Sequence, residues 1–564
     1  MTDYKQYIAE KIVIEGVSTE EIKSYLEIPP TPEVGDYALP CFRFSRVLRK
    51  PPVQIALELK EKFVCDDVVS AVEAVNGYLN FRLDRLSFAL GAVKNVLAAG
   101  ENYGNSDEGA GKTVCIDYSS INIAKPFHIG HLSTTVIGAA LYRIYKALGY
   151  NAVGINHLGD YGTQFGKLIY AVKHWGDIET VRKKGLSELT RLYVYYHEQA
   201  ELHPEMDDEA RAYFKAIENC DKECTELFEF FKSVTLEETQ KIYGLLDVTF
   251  DSYAGESFYN DKMAPVVEEL EKDGLLVESQ GAKVVDLSAY DMPPCIILRS
   301  DGASLYATRD LAAALYRKKT YDFYKCLYVV AYQQNLHFKQ IFKVLELMGK
   351  PWYKDMVHVS YGMVSLEDGA MSTRKGKVVL LADVIDKTIE KALEVINAKN
   401  PDLENKEQTA KDVGTGAVIF GALANGKIKD IVFSYDKVLN FDGETGPYCQ
   451  YTVARCNSVI SKGEGVVDEG AGTVKEISPE EFNLAVLLAD LPHVIKEAAE
   501  KYEPSFVTRY AVDVAKAFNK FYFGYKIVSE DAAVTKFRLD LTKATRICLK
   551  KSLSLLGIKT PERM

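Results

Sequence analysis

Hydrophobic spacing falls into three regimes along the 564 residues. Up to about residue 100, short mixed patterns dominate. Leu48–Phe63 has helical spacing after the proline-rich turn at 29–32. Val68–Leu83 partly alternates and is broken at Asn76-Gly77, a hairpin signal. Asp84–Ala99 reads as another helix, and the Gly-rich polar stretch 100–112 reads as a linker. From Thr113 onward, short apolar runs alternate with helical ones. Strands are expected at Thr113–Tyr118, Asn151–His157, 303–307, Cys326–Ala331 and Met356–Tyr361. Helices are expected at His128–Leu148, Thr163–His174 and His337–Met348. Strand–helix alternation predicts a mostly parallel, doubly wound sheet whose ligand lies beyond the carboxyl ends of the strands. The acidic helical stretch Ser187–Leu246 interrupts it as an insertion. From about Asp383 the spacing is helical again, and Phe482–Met564 is helical throughout, with Pro492 and Pro504 as expected helix boundaries.

The resulting organisation is α/β and multidomain: a small α+β domain over 1–105, a Rossmann-like catalytic domain over 106–385, a helical connector over 386–440 and an all-α domain over 441–564. Composition agrees, with 47% hydrophobic and 26% charged residues, enough for several cores. No apolar run reaches membrane-spanning length, and the first residues, which include acids, resemble neither a secretory nor a transit signal. The ten cysteines form no C-x-x-C pair. The closest two, Cys220 and Cys224, read as buried or semi-buried thiols, so a reducing cytoplasm is the expected compartment. The net charge of −12 argues at first against nucleic acid, but residues 501–564 carry 13 Lys and Arg against 6 Asp and Glu. A basic block on an acidic body is the asymmetry of a domain that meets phosphates, although a solvated basic helix face would look the same.

Candidate chemistry concentrates at Tyr118-Ser-Ser-Ile-Asn-Ile-Ala-Lys-Pro-Phe-His-Ile-Gly-His131, which follows a strand and opens a helix. His128 and His131 are three apart and share a face. Gly130 lets a ligand approach the backbone. The helix N-terminus presents N–H groups and a positive dipole end to phosphate, with two imidazole donors beside it. Ala110-Gly-Lys-Thr113 imitates the end of a P-loop, but its earlier glycine is missing and a strand follows it. No serine elbow or zinc-protease motif is present.

The histidine segment resembles the HIGH signature of class I aminoacyl-tRNA synthetases, with His-Ile-Gly-His intact at 128–131, and the wider string is similar to the arginyl-tRNA synthetase version. In chain order, further segments resemble that family. They are Gly35–Pro40, Asn156–Gly166, Ala254–Ser257, Leu305–Asp310, Val329–Gln334, Met371–Gly376 (its form of the KMSKS loop), Gly446–Tyr451 and Leu555–Met564. Five positions depart from it. Ile121 replaces a common Pro, Ser133 a frequent Arg and Tyr161 the usual Trp, and Ala370 and Thr373 replace the two KMSKS lysines.

The resemblance implies an arginine–tRNA ligase. It would activate arginine with ATP, complexed with Mg²⁺, to arginyl-adenylate, release pyrophosphate, and transfer arginine to the terminal adenosine of tRNA(Arg). It would act as a monomer, without membrane, resident metal or tightly bound cofactor, and would need bound tRNA for the first step. The ATP site implied is His128, Gly130, His131, Met371 and Ser372, with Ser372, Arg374 and Lys375 of the loop and both histidines serving catalysis. Glu256, Tyr306 and Asp310 would hold the guanidinium, and Ser120, Asn122 and Gln334 the α-amino and carboxylate end. Read alone, Asp310 is a first-turn helix acid after the strand 303–307, and Glu256 a surface acid. Lys125, three residues before His128, is the candidate for the charge the missing loop lysines would bring; Arg374, Lys375 and Lys377 are its rivals. Other class I synthetases, a shorter nucleotidyltransferase and an inactive RNA-binding paralogue are the competing readings.

Overall fold

A computed structural model describes residues 4–29, 31, 34–300, 306–366, 379–463 and 472–564. These fall into two compact units.

The first unit comprises Met1–Tyr103, Cys456–Leu491 and Asp513–Cys548. Its sheet is antiparallel, in the order β1 (Tyr37–Pro40), β3 (Tyr78–Leu83), β2 (Val69–Val75). The β2–β3 hairpin turns at Asn76 and Gly77, both with positive φ (51° and 83°), as the Asn-Gly pair demands. The helix expected over 48–63 is Pro52–Lys62. Pro51 and a left-handed Arg49 (φ 50°) separate it from the short helix Ser45–Leu48, because the residue before a proline is pushed out of helical space.

The second unit comprises Gly104–Arg455, Pro492–Val512 and Leu549–Met564. Its first two strands are β4 (Thr113–Asp117) and β5 (Asn151–Ile155). An antiparallel three-stranded sheet follows, of β6 (Leu276–Ser279), β7 (Ala282–Val285) and β8 (Cys295–Leu298). With β9 (Lys325–Ala331) and β10 (Met356–Tyr361), β4 and β5 form an all-parallel sheet in the order β10-β9-β4-β5. The chain leaves β4 toward β5 and later returns to β9 on the other side. The crevice beyond the carboxyl ends of β4 and β9 is therefore the switch point where such folds bind ligands. A small parallel pair, β11 (Val364–Leu366) with β12 (Ile431–Phe433), follows.

The insertion consists of the helices Leu186–Leu202, Met206–Glu218 and Lys222–Leu246. Cys224 is buried in the last of these, but Cys220 is exposed. Cys220 sits in the turn between two helices with φ 57°, outside the amphipathic pattern that would have buried it. The 100–112 stretch is packed rather than loose. A Cβ on Gly109 would lie 2.3 Å from the Tyr150 ring, and Gly109 N donates to Leu148 O at 2.9 Å.

Two proline readings part ways. Pro504 does precede a helix, Ser505–Gly524, but Pro492 lies inside the helix Pro479–Glu500. The missing N–H leaves the Leu488 carbonyl without its helical donor, and the Cys548 thiol lies against that oxygen at 3.9 Å. The strand expected over 303–307 is also corrected, since the helix Tyr306–Tyr321 already contains Tyr306 and Ala307.

Candidate active site

The loop leaving β4 is strained and heavily tethered. Ser119, Ser120 and Ala124 have φ of 68°, 46° and 61°, a conformation that side chains with a Cβ rarely adopt. Hydrogen bonds hold it there: Ser119 N to Thr134 Oγ1 (3.0 Å) and Ala124 N to Thr235 Oγ1 (3.0 Å). Ser120 Oγ donates to Asp117 Oδ1 at 2.7 Å, and Arg317 reaches Asp117 Oδ2 at 2.7 Å. Asp117 and Arg317 are both buried. Asn122 pairs by backbone with Gly159 in the loop after β5. A Cβ on Gly159 would lie 2.4 Å from Asn122 Oδ1, so the two loops touch only because that position is glycine.

The histidine turn differs from the helix start expected at His128. Ile129–His131 is a 3₁₀ turn, and the α-helix runs Leu132–Ala147. The histidines themselves cap it. His128 Nδ1 accepts from Gly130 N at 3.1 Å, and His131 Nδ1 accepts from His128 N at 3.2 Å, with ring centroids 3.9 Å apart. An imidazole that accepts at Nδ1 carries its proton on Nε2. Burial, and then the neighbouring Lys125 charge, hold the His128 pKa below its ordinary value. Burial, then His128, bring His131 down to about 3, with Lys125 adding to the shift. Both rings are therefore neutral at pH 7 and present Nε2–H donors, and among the described residues nothing accepts from them. Lys125 stands close enough to act on both rings.

The chain leaving residue 378 is stitched to this turn. Ile129 N donates to Val379 O (3.1 Å) and Leu381 N to Phe127 O (3.0 Å). Met371, Ser372, Arg374 and Lys375, with Ala370, Thr373 and Lys377, lie outside the described residues.

The two acids lie close enough to act on each other. Glu256 N donates to Leu158 O at 2.8 Å, and its carboxylate accepts from Arg309 at 3.2 Å. Burial pushes Glu256 up to about 7; Arg309 opposes this, while Asp310 and Asp160 add to it. Asp310 Oδ2 meets His337 Nε2 at 2.6 Å. Burial works upward on Asp310, but the hydrogen bond and charge of His337 outweigh it and hold the carboxyl below its usual range. Beneath them Asp160, fully buried, accepts from Lys232 (2.6 Å), Ser257 N (2.9 Å) and Ser257 Oγ (2.8 Å). Tyr306 is exposed at the first position of its helix, and Gln334, also exposed, closes the 3₁₀ turn after β9. Thr134 on the histidine helix donates to Val329 O in β9 at 2.7 Å, which ties the two sides of the crevice together.

Residues 92–435 match the family model described as tRNA synthetases class I (R), catalytic domain. Residues 2–83 match the arginyl tRNA synthetase N terminal domain, and 449–564 the DALR anticodon binding domain. The chain belongs to the class I arginyl-tRNA synthetase family. It is 54% identical to an arginine–tRNA ligase of Clostridium beijerinckii over 567 residues, covering 100% of both chains. Against one from Halothermothrix orenii it is 51% identical over 566 residues, again covering 100% of both. The solved arginyl-tRNA synthetase of Thermus thermophilus superposes with a TM-score of 0.80 at 26% identity, covering 96% of each chain.

Within this synthetase frame, Ser120, Asn122, Lys125, His128, Gly130, His131, Glu256, Tyr306, Asp310 and Gln334 all lie on loops or helix starts around the sheet's carboxyl edge. What sequence reasoning missed are their partners: Arg309 on Glu256, His337 on Asp310, Arg317 on Asp117 and Lys232 on Asp160. Arg309 stands beside Asp310 in the sequence, and that adjacency was the one available signal. Lys232 and Arg317 sit in ordinary-looking helices with nothing local to mark them.

Proposed function

We propose that this crevice is where the chain joins arginine to tRNA at the expense of ATP. The observation that carries the reading is a pair of acids, Glu256 and Asp310, in the same unit as a histidine turn whose two neutral rings both offer Nε2–H donors. A guanidinium presents five donors in a planar fork that carboxylates match, so the acids select the side chain. Ser120, Asn122 and Gln334 hold the other end of the amino acid and fix its carboxylate. That carboxylate is ionised at neutral pH and attacks the α-phosphorus of ATP, displacing pyrophosphate. No protein nucleophile is required. The chain supplies in-line placement and donors that follow charge onto the phosphates. His128 and His131 donate from Nε2, the Gly130 backbone allows close approach, and Lys125 adds a full positive charge beside them. Met371, Ser372, Arg374 and Lys375 complete the triphosphate site, with Mg²⁺ arriving on the ATP. A hydroxyl of the terminal adenosine of tRNA(Arg) then takes the arginyl group and releases AMP.

Among the described residues no helix is long and apolar enough to cross a membrane. A cytoplasmic monomer is the setting proposed. ATP–pyrophosphate exchange with arginine, run with and without tRNA, tests the activation step. Exchange is expected only with tRNA present, and robust exchange without it would contradict that part of the reading.

A further inference from the structure

The carboxylate assigned to the substrate's guanidinium already has a guanidinium on it. Arg309 is only 4% exposed. One of its terminal nitrogens lies 3.2 Å from Glu256 Oε2, and its Cζ lies 4.5 Å from the centroid of the Tyr161 ring and 6.0 Å from that of Tyr306. Tyr161 is in turn pinned by a hydrogen bond from its hydroxyl to Glu218, in the insertion helix Met206–Glu218. Arg309 Nε is buried and has no hydrogen-bond partner among the described residues. An internal arginine of this kind is retained at a cost in desolvation, which points to a task at the carboxylate. Tyr161 matters as well, because its ring lies under Arg309 while its hydroxyl donates to Glu218.

We propose that Arg309 is a positioning residue of the amino-acid pocket: held on Tyr161, it fixes one oxygen of Glu256 and leaves Oε1 for the substrate's guanidinium. This rests on the reading of Glu256 and Asp310 as the guanidinium acids. The charged groups around Glu256 are few. From its own helix Arg309 carries Asp310 beside it, with His337 on Asp310. From the loop after β5 comes Asp160, ion-paired with Lys232 of the helix Lys222–Leu246. Arg309 is thus the cation in direct contact with Glu256, while two acids press it toward protonation.

The test is the pH profile of arginine charging in the full-length chain with tRNA, from about pH 6 to about pH 9. Losing an opposite charge at this range moves a carboxyl up by about one unit or more. In Arg309→Gln the acidic limb of kcat/KM for arginine should therefore move up by about one pH unit. The arginine KM should rise about fivefold at pH 7 and recover toward pH 9, since a carboxyl titrating at about 7 is half ionised there and one titrating about one unit higher is about one-tenth ionised. The ATP KM should hold. Arg309→Lys should keep the limb near the parent's, and the double variant Arg309→Gln with Glu256→Gln should lose the pH-dependent part. An unmoved limb, or a uniform fall in kcat at every pH with an unchanged arginine KM, would overturn the proposal. Should Arg309→Gln fail to fold, Tyr161→Leu must move the limb in the same direction, and a parent-like profile there would also overturn it. Asp310→Asn, measured alongside, separates the underlying reading: a normal arginine KM in that variant refutes the pocket itself, whatever Arg309 does.

Discussion

At the scale of single residues the site is a set of groups held away from their solution behaviour. Asp310, ionised and hydrogen-bonded to His337, should dominate recognition of arginine. Removing one partner of a desolvated ion pair costs about 3–5 kcal/mol. Asp310→Asn should therefore lower kcat/KM for arginine by roughly several hundred-fold while leaving the ATP KM nearly unchanged in steady-state charging assays. Lys125 is the counterpart on the phosphate side. Lys125→Ala should slow single-turnover adenylate formation by about 10²–10³-fold, the size seen when one preorganised donor is lost, with little change in ATP affinity. Arg374→Ala measured beside it decides whether the loop supplies that charge instead. His131 gives a stability prediction. Its folded pKa of about 3 lies below the unfolded value near 6.5, so only the unfolded chain takes up a proton between them. Stability should fall as pH drops through that window, by up to ~1.4 kcal/mol per pH unit. His131→Asn should flatten that dependence in urea unfolding at stepped pH. The histidine turn was legible because a histidine pair and a Gly sit at a strand–helix junction, whereas Glu256 and Asp310 were marked only by the family resemblance. The partner cations Arg317 and Lys232 were not legible, because they are brought in from distant helices, and spacing carries no record of that.

At the scale of elements the strand–helix alternation was legible and the ends were less so. The helix expected at His128 starts at Leu132, because the two histidine rings satisfy the first backbone donors themselves. Pro492 was read as a boundary by local rule and is overruled by tertiary packing around Leu488. The decisive contact between elements falls at Gly138, where a Cβ would come within 2.2 Å of the Tyr118 side chain. Tyr118 cannot yield, being fully buried with its hydroxyl on Thr249 O at 2.7 Å. Gly138→Ala should cost about 1–3 kcal/mol by overpacking and push the histidine helix off the sheet. A lower Tm together with a lower rate of adenylate formation is the expected pair of results, and a rate unchanged in a folded variant would uncouple helix position from chemistry.

At the scale of the molecule the charge asymmetry found in the sequence acquires a face. Lys516, Lys520 and Phe523 follow one another at helical spacing on Ser505–Gly524, with Lys526 just beyond, and all four are exposed. Phe523 is 73% exposed, a large apolar surface beside lysines that suits stacking next to phosphates. Replacing the three lysines by Ala should weaken tRNA binding and flatten its salt dependence by about one log–log unit per lost phosphate contact. Truncating the C-terminal helices would be a poorer test. Met564 packs against the cluster of Ala392, Ile396, Ala410, Val413, Ala417 and Leu439, and Gln450 donates to Lys559 O at 2.7 Å, so the last residues belong to a core. The central claim, a pocket of two acids that admits arginine to an ATP-driven charging reaction, meets its most direct test in one measurement. That measurement is aminoacylation of bulk tRNA by the full-length chain, with each of the twenty amino acids supplied in turn with ATP and Mg²⁺. Charging with arginine alone is the expected result. Charging with any other amino acid, or none with arginine, would contradict it.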